Sequence, residues 1–161
     1  MTKRRSFMLT GMTLFGLAAM WPQQGFAQSD AFLGTWQLNL AKSKYSPGPP
    51  PRSQSVIIQA DGQNHKITIT GADSAGNSTT QVVVRGYDGM SHPASGNSDY
   101  DGQAAARVDA STIIVGFTKA GKLVETGTMI VSPDGKTRTF ATTGTDASGR
   151  PFNNIAVYDK Q

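Results

Sequence analysis

Asp-Gly occurs at positions 61–62, 88–89 and 134–135 beside short apolar stretches, and again at 101–102 at the end of a polar loop. This dipeptide suits the left-handed backbone of a tight hairpin turn, so each occurrence beside apolar stretches predicts a reversal between antiparallel strands. No stretch after residue 28 carries apolar residues at helical spacing, and the connections are too short for a parallel crossover. The strands expected are Leu33–Leu40, Gln54–Ala60, His65–Thr70, Thr79–Tyr87, a short Met90–Ala94 weakened by Pro93, Gln103–Val108, Thr112–Thr118, Leu123–Ser132, Thr137–Thr143 and Phe152–Asp159. They make an all-β chain, an antiparallel up-and-down meander of about ten strands. Such a meander has two unpaired edges and no helix to cover them, and closing it into a barrel removes both.

The first 27 residues stand apart from this pattern. Lys3, Arg4 and Arg5 precede a mostly apolar Phe7–Met20, and Gly25-Phe26-Ala27 supplies a small-x-small site. This is the pattern of a cleavable export signal over residues 1–27, cut near Ala27, which predicts a periplasmic or secreted mature chain. The apolar stretch is interrupted by Gly11, Thr13 and Gly16 and is shorter than the roughly 20 residues of a membrane helix, so cleavage is expected and no transmembrane segment in the mature chain. Lys3-Arg4-Arg5-Ser6-Phe7-Met8 is similar to a twin-arginine signal, with a general secretory signal as the alternative.

Removing the leader changes the charge argument. The chain has 15 Lys and Arg against 11 Asp and Glu, and the leader takes three of the bases and none of the acids. The mature part is left near neutrality, with no basic cluster to follow a phosphate backbone, and nucleic acid is not an expected partner. No cysteine is present, which excludes a disulfide framework and thiolate metal sites. Residues 28–161 are long enough to bury about two thirds of their unfolded surface in one core, so one barrel domain is expected. Within it, residues 41–53 contain Pro47, Pro49, Pro50 and Pro51 and read as a stiff connection crossing one barrel end.

Residues 55–84 align with 128–157 at a constant offset of 73, matching Asp61-Gly62 with Asp134-Gly135, Thr70-Gly71 with Thr143-Gly144, Asp73 with Asp146 and Gly76 with Gly149. Two similar three-strand units would produce this match, as would turn chemistry alone.

On the first strand, alternation places Gly34, Trp36, Leu38 and Leu40 on one face, expected to be buried. The run Asp30-Ala31-Phe32-Leu33-Gly34-Thr35-Trp36-Gln37-Leu38 resembles the first strand of the calycin group, the lipocalins and intracellular fatty-acid-binding proteins. Over most of residues 28–161 the chain resembles exported bacterial lipocalin-like proteins of uncharacterised activity, with a Gly-Thr-Trp start, an Ala-Lys-Ser-Lys and Pro-Gly-Pro stretch and a terminal Ala156-Val157-Tyr158-Asp159-Lys160 strand. That resemblance implies a lipocalin-like β-barrel without implying an activity. Fatty-acid-binding proteins, a more distant resemblance, insert a helix pair after the first strand and end with an Arg-x-Tyr that grips the ligand carboxylate. Here a proline segment follows the first strand, and Ala156 stands where the arginine would be.

Six residues are candidates for ligand binding: Trp36, Arg107, Phe117, Glu125, Arg138 and Tyr158. Trp36 is expected to plug the closed end of the barrel beneath a cation such as Arg150. Alternation puts Arg107 with Gln103 and Ala105, and Glu125 with Leu123, Gly127, Met129 and Val131. An inward arginine lacking a carboxylate would bind an anionic head group by its fork of donors, as would Arg85 or Arg138 if inward. Phe117 and Tyr158 are wall candidates. His65 and His92 lack metal-ligand spacing, no Gly-x-Ser-x-Gly elbow occurs, and the alternating acids Asp99 and Asp101 lack the closing glutamate of a calcium loop. No metal, cofactor or enzymatic activity is therefore expected. The function expected is binding or carriage of a small hydrophobic or amphipathic ligand. The alternative is a structural or protein-interaction barrel with a filled interior.

Overall fold

The computed structural model describes residues 30–97, 99–146 and 148–161. The expected export signal lies outside the described residues. The strands are β1 Gly34–Leu38, β2 Lys44–Ser46, β3 Ser53–Asp61, β4 Asn64–Ala72, β5 Ser78–Arg85, β6 His92–Pro93, β7 Gly102–Arg107, β8 Thr112–Lys119, β9 Lys122–Val131, β10 Thr137–Thr145 and β11 Pro151–Lys160. They form one antiparallel sheet in the order β5-β4-β3-β1-β11-β10-β9-β8-β7-β6, with β2 attached to β11. The terminal strand meets the tryptophan-bearing strand, Trp36 opposite Lys160 and Leu38 opposite Tyr158, and the sheet curls into a nearly closed barrel. No described helix is long and apolar enough to cross a membrane.

Side chains close the seam between β5 and β7. Gln103 on β7 donates to the Val84 carbonyl at 3.3 Å and accepts from Arg85 Nε at 3.1 Å. Gln81 on β5 donates to the Ser95 carbonyl and the Tyr100 hydroxyl.

Three details differ from the sequence expectation. β1 stops at Leu38 because Asn39 caps a 3₁₀ turn at Leu40–Lys42, its side chain accepting from the Lys42 amide at 3.1 Å, and Leu40 is exposed rather than on the buried face. Part of the proline connection is a strand, since β2 pairs with Asn153, Asn154 and Ile155 and anchors the prolines against the barrel. Finally, pairing shifts between Phe117–Glu125 and Thr118–Leu123, leaving Val124 as an extra residue. This bulge turns Leu123 outward while Glu125 stays inward, so the two do not share a face.

The offset-73 match corresponds to two structurally similar corners. Asp73 and Asp146 each open a turn in which the carboxylate accepts amide hydrogens two to four residues on. Gly71 and Gly144 each let a neighbouring strand come too near for a side chain: a Cβ would lie 2.2 Å from the Ser53 or the Val124 carbonyl oxygen.

Alternation on every long strand sends one residue set inward. Trp36, Val56, Ile58, Ile67, Val83, Ile113, Val115, Phe117 and Met129 form the buried core, with Phe32 closing the end near Trp36.

Candidate ligand-binding lumen

The two ends of the barrel differ. At the closed end Trp36 is fully buried, and its indole N–H donates to the Phe32 carbonyl at 2.8 Å. Its ring centroid is 4.9 Å from Lys160 Nζ and 5.6 Å from the Arg138 guanidinium carbon. These two replace Arg150 as the cations of the indole. Arg150 sits in the β10–β11 turn at the opposite end, bonded to Asp146 at 2.9 Å, because β1 and β11 run antiparallel and the start of one lies at the end of the other.

A polar network ties down the closed end. His65 on β4 has Nε2 2.9 Å from Asp30 Oδ2 and Nδ1 2.6 Å from the Tyr87 hydroxyl. With Nε2–H donating to Asp30, Nδ1 accepts from Tyr87, which describes a neutral imidazole. Burial pushes the His65 pKa down, and the Arg107 and Arg85 charges add to this against the opposing pull of Asp30. Burial raises the Asp30 carboxyl, but the Phe32 amide, Arg107 and His65 together hold it below its ordinary value. Arg107 also bonds to Asp30 and covers the Tyr87 ring at 4.6 Å. Arg107 therefore shares the inward face with Gln103 and Ala105, but its head group is already engaged.

Deeper in the lumen lie two arginines of another kind. Arg138 on β10 is 4% exposed and faces Tyr158 on β11, its guanidinium carbon 4.3 Å from the ring centroid. Its Nε is buried without a hydrogen-bond partner. Arg85 on β5 is also buried, with Nε donating to Gln103 and Nη1 lying 3.6 Å from Met129 Sδ. Among the described residues neither guanidinium has a carboxylate partner. Desolvation is the main cause that lowers both; Arg138 falls to about 10, Tyr158 opposing the fall and the Arg85 charge adding to it. A guanidinium keeps its proton inside proteins, so both are cationic at neutral pH. Removing a charge from water costs several kcal/mol, and cation–π contact returns only about 0.5–2. The lumen thus carries uncompensated positive charge, including a donor aimed at nothing. Tyr158, also buried, donates to Gln54 on β3.

The open end lies under the proline segment. A hollow of about 270 Å³ is bounded by Tyr45, Pro47, Pro49, Glu125, Phe152 and Asn154. Glu125 is raised to about 7, chiefly by burial, with Asp99 adding to the shift and a hydrogen bond from Thr142 opposing it. Phe117 is buried below this mouth and stacks on Tyr100 at 4.5 Å between centroids. A larger concavity of about 550 Å³ lies on the outer side of β7–β10, against Ala104, Ala106, Ile114, Thr128, Ala141 and Thr143, and no charged side chain lines it. Among the described residues no three His, Cys, Asp or Glu side chains converge as a metal-ligand set.

The structure thus brings Arg138 and Tyr158 together, with Trp36 against Arg138, places Glu125 and Phe117 toward the mouth, and sets Arg107 apart in the closed-end network. Arg85, Gln54 and Gln103 belong to the same interior, and strand alternation alone does not say which of a strand's two faces is inward.

No family model matches the chain, and no curated protein matches it. Among solved structures it is similar to zebrafish ileal bile acid-binding protein complexed with cholic acid, with a TM-score of 0.55 and 14% identity, covering 81% of this chain and 99% of that one. The shared property is the barrel fold.

Proposed function

We propose that this chain is a lipocalin-like binder or carrier of a small amphipathic molecule with an anionic head group, working in the periplasm or outside the cell after loss of the 1–27 leader. The observation that carries the reading is the buried Arg138, with an orphaned Nε, beside a second buried arginine that also lacks a carboxylate. A carboxylate, sulfonate or sulfate placed against Arg138 relieves the repulsion between the two guanidiniums and supplies the missing acceptor. Tyr158 flanks that head group, Trp36 backs Arg138, and the apolar part of the ligand leads past Phe117 to Glu125 and the mouth. Arg107 holds the closed end together and does not touch the ligand. The similar bile acid-binding structure supports a barrel of suitable shape.

Ligand pockets usually enclose about 300–1,000 Å³. The mouth hollow falls just short, so ligand entry requires the proline strap to lift or interior side chains to turn. That tight interior also supports the second reading, a filled barrel that uses its uncharged outer concavity for a partner. Native mass spectrometry of the exported protein purified from its own host separates the two. A retained mass of a few hundred daltons, lost in the Arg138→Met variant, supports the carrier; a bare chain that also takes up no added alkyl carboxylate or sulfonate overturns it. N-terminal sequencing of the same sample tests cleavage near Ala27.

A further inference from the structure

We propose that Glu125 is a proton-operated latch on the barrel mouth: an anionic amphiphile is held tightly while this carboxyl is protonated and is released as it ionises. The inference rests on the carrier reading above and adds its regulation.

Three features place Glu125 in this role. It is the only glutamate in the chain, and the bulge at Val124 keeps it on the inner face of β9 beside the hollow. Across that mixed hollow it meets apolar surface from Phe152 on β11, Tyr45 on β2, and Pro47 and Pro49 of the strap, next to the neutral polar Thr145 and Asn154. The charged and titratable groups facing it do not stabilise its anion. Asp99 approaches from the β6–β7 connection and adds like charge. Arg150 and Asp146, in the β10–β11 turn, are bonded to each other at 2.8 Å. Tyr100 and Tyr45 are phenols that burial pushes upward, so they remain neutral. From β10 only Thr142 offers a hydrogen bond.

An alkyl tail lying from the lumen to the strap displaces water from around Glu125. The ionised carboxylate then loses hydration and gains no cation, with only the Thr142 hydrogen bond in its favour, whereas the neutral acid has far less hydration to lose. The complex consequently binds the Glu125 proton more tightly than the empty barrel does. Binding takes up a proton, and affinity falls as pH rises past the empty-barrel value, by at most about tenfold per pH unit. With that value near 7, the change falls in the neutral range.

Dodecanesulfonate below its micellar concentration is a suitable probe, because its head group does not titrate between pH 5.5 and 8.5. Binding is read from Trp36, the sole tryptophan outside the leader, and by calorimetry in buffers of different ionisation enthalpy. The expected result is about tenfold weaker binding at pH 8.5 than at pH 6, proton uptake near pH 7, and a Glu125→Gln variant that binds with the tight, acidic-side affinity at both pH values. Glu125→Met, which also lacks the titrating group, behaves as Glu125→Gln does. Arg138→Met weakens binding at both pH values. Wild-type affinity constant within twofold across this range, or a pH dependence that survives in both Glu125 variants, overturns the latch and leaves the carrier reading standing. No binding of the sulfonate or of dodecanoate at any pH overturns the carrier reading itself.

Discussion

Arg138 on β10 stands directly opposite Tyr158 on β11, with its guanidinium carbon 4.3 Å from the centre of the phenol ring. In a sheet, directly opposed residues lie about 4.5–5.5 Å apart at Cα, whereas two residues two positions apart on a strand are separated by about 6.7 Å. An arginine and a tyrosine can therefore share one inward face either as Arg-x-Tyr on a single strand or as partners across two. This chain has Ala156 where the linear motif would place its arginine, and the neighbouring strand supplies one instead.

Replacing Arg138 by Met separates a binding role from a structural one. Arg138 is 4% exposed and its guanidinium has no carboxylate, so its removal relieves desolvation and repulsion from Arg85 while the methionine keeps the packing against Trp36 and Tyr158. Exchanging buried charge for an apolar side chain of similar volume is often neutral or stabilising by about 1–4 kcal/mol. Urea unfolding of Arg138→Met is expected to show unchanged or higher stability, together with at least a tenfold loss of affinity for an alkyl sulfonate. A loss of more than about 2 kcal/mol would assign Arg138 to the scaffold, a cost typical of a broken buried network.

Glu125 gives the ligand-free barrel a distinct pH signature. Its folded value, about 7, lies above its ordinary value of 4.5, so the folded state binds the proton more tightly. The stability that this contributes is complete below about 4.5 and declines as pH rises through 7. Glu125→Gln removes this decline. Its advantage over wild type is expected to be negligible at pH 4 and to grow to at most about 3 kcal/mol by pH 8, as read from denaturant midpoints. Equal stability of the two proteins at pH 8 would contradict the buried placement.

The close strand approaches make a steric prediction. A Cβ on Gly144 would sit 2.2 Å from the Val124 carbonyl oxygen and 2.9 Å from Glu125 Cα, both backbone atoms. Overpacking of this kind typically costs about 1–3 kcal/mol, and backbone has less freedom to yield than a side chain. Gly144→Ala and Gly71→Ala are each expected to lose at least 2 kcal/mol in thermal or urea unfolding. Gly62→Ala meets nothing within 4 Å and adds only the strain of a side chain at φ 61°, about 1 kcal/mol. Comparable losses at all three sites would remove the case for special packing at the two corners.

Turn chemistry made most of the fold legible. Asp61-Gly62 and the Asp73 and Asp146 turns specify local backbone, and local backbone fixes where strands reverse. Asn39 was harder to read: Leu38 and Leu40 continue the alternation of β1, yet the Asn39 side chain forms a cap that ends the strand. The bulge at Val124 also follows no residue pattern, and strand alternation alone puts Leu123 on the inward face of Glu125. The site was partly legible for the same reason. Arg138, Tyr158, Phe117 and Glu125 stood out as charged or aromatic residues on strands, but whether Arg107 or Arg138 is already paired depends on Asp30 and His65, which only the closed barrel brings beside Arg107.

His65 supplies a second pH dependence, opposite in sign to that of Glu125. Burial lowers its folded value below the ordinary 6.5, so the unfolded chain binds the proton more tightly. The stability associated with a neutral His65 is complete above about pH 6.5 and is lost as pH falls from there toward the folded value. The Asp30 carboxyl, held below 3.8, adds a further loss only at more acidic pH. Because Glu125 and His65 act over overlapping ranges, the imidazole contribution is best read in a Glu125→Gln background. There, stability is expected to fall as pH drops below 6.5, and adding His65→Gln removes that fall. The same change lowers stability at pH 7.5 by about 1–3 kcal/mol, because Asp30 and Tyr87 lose the group between them. An undiminished acid-side decline after His65→Gln would show that another group, and not the Asp30–His65–Tyr87 network, governs the closed end.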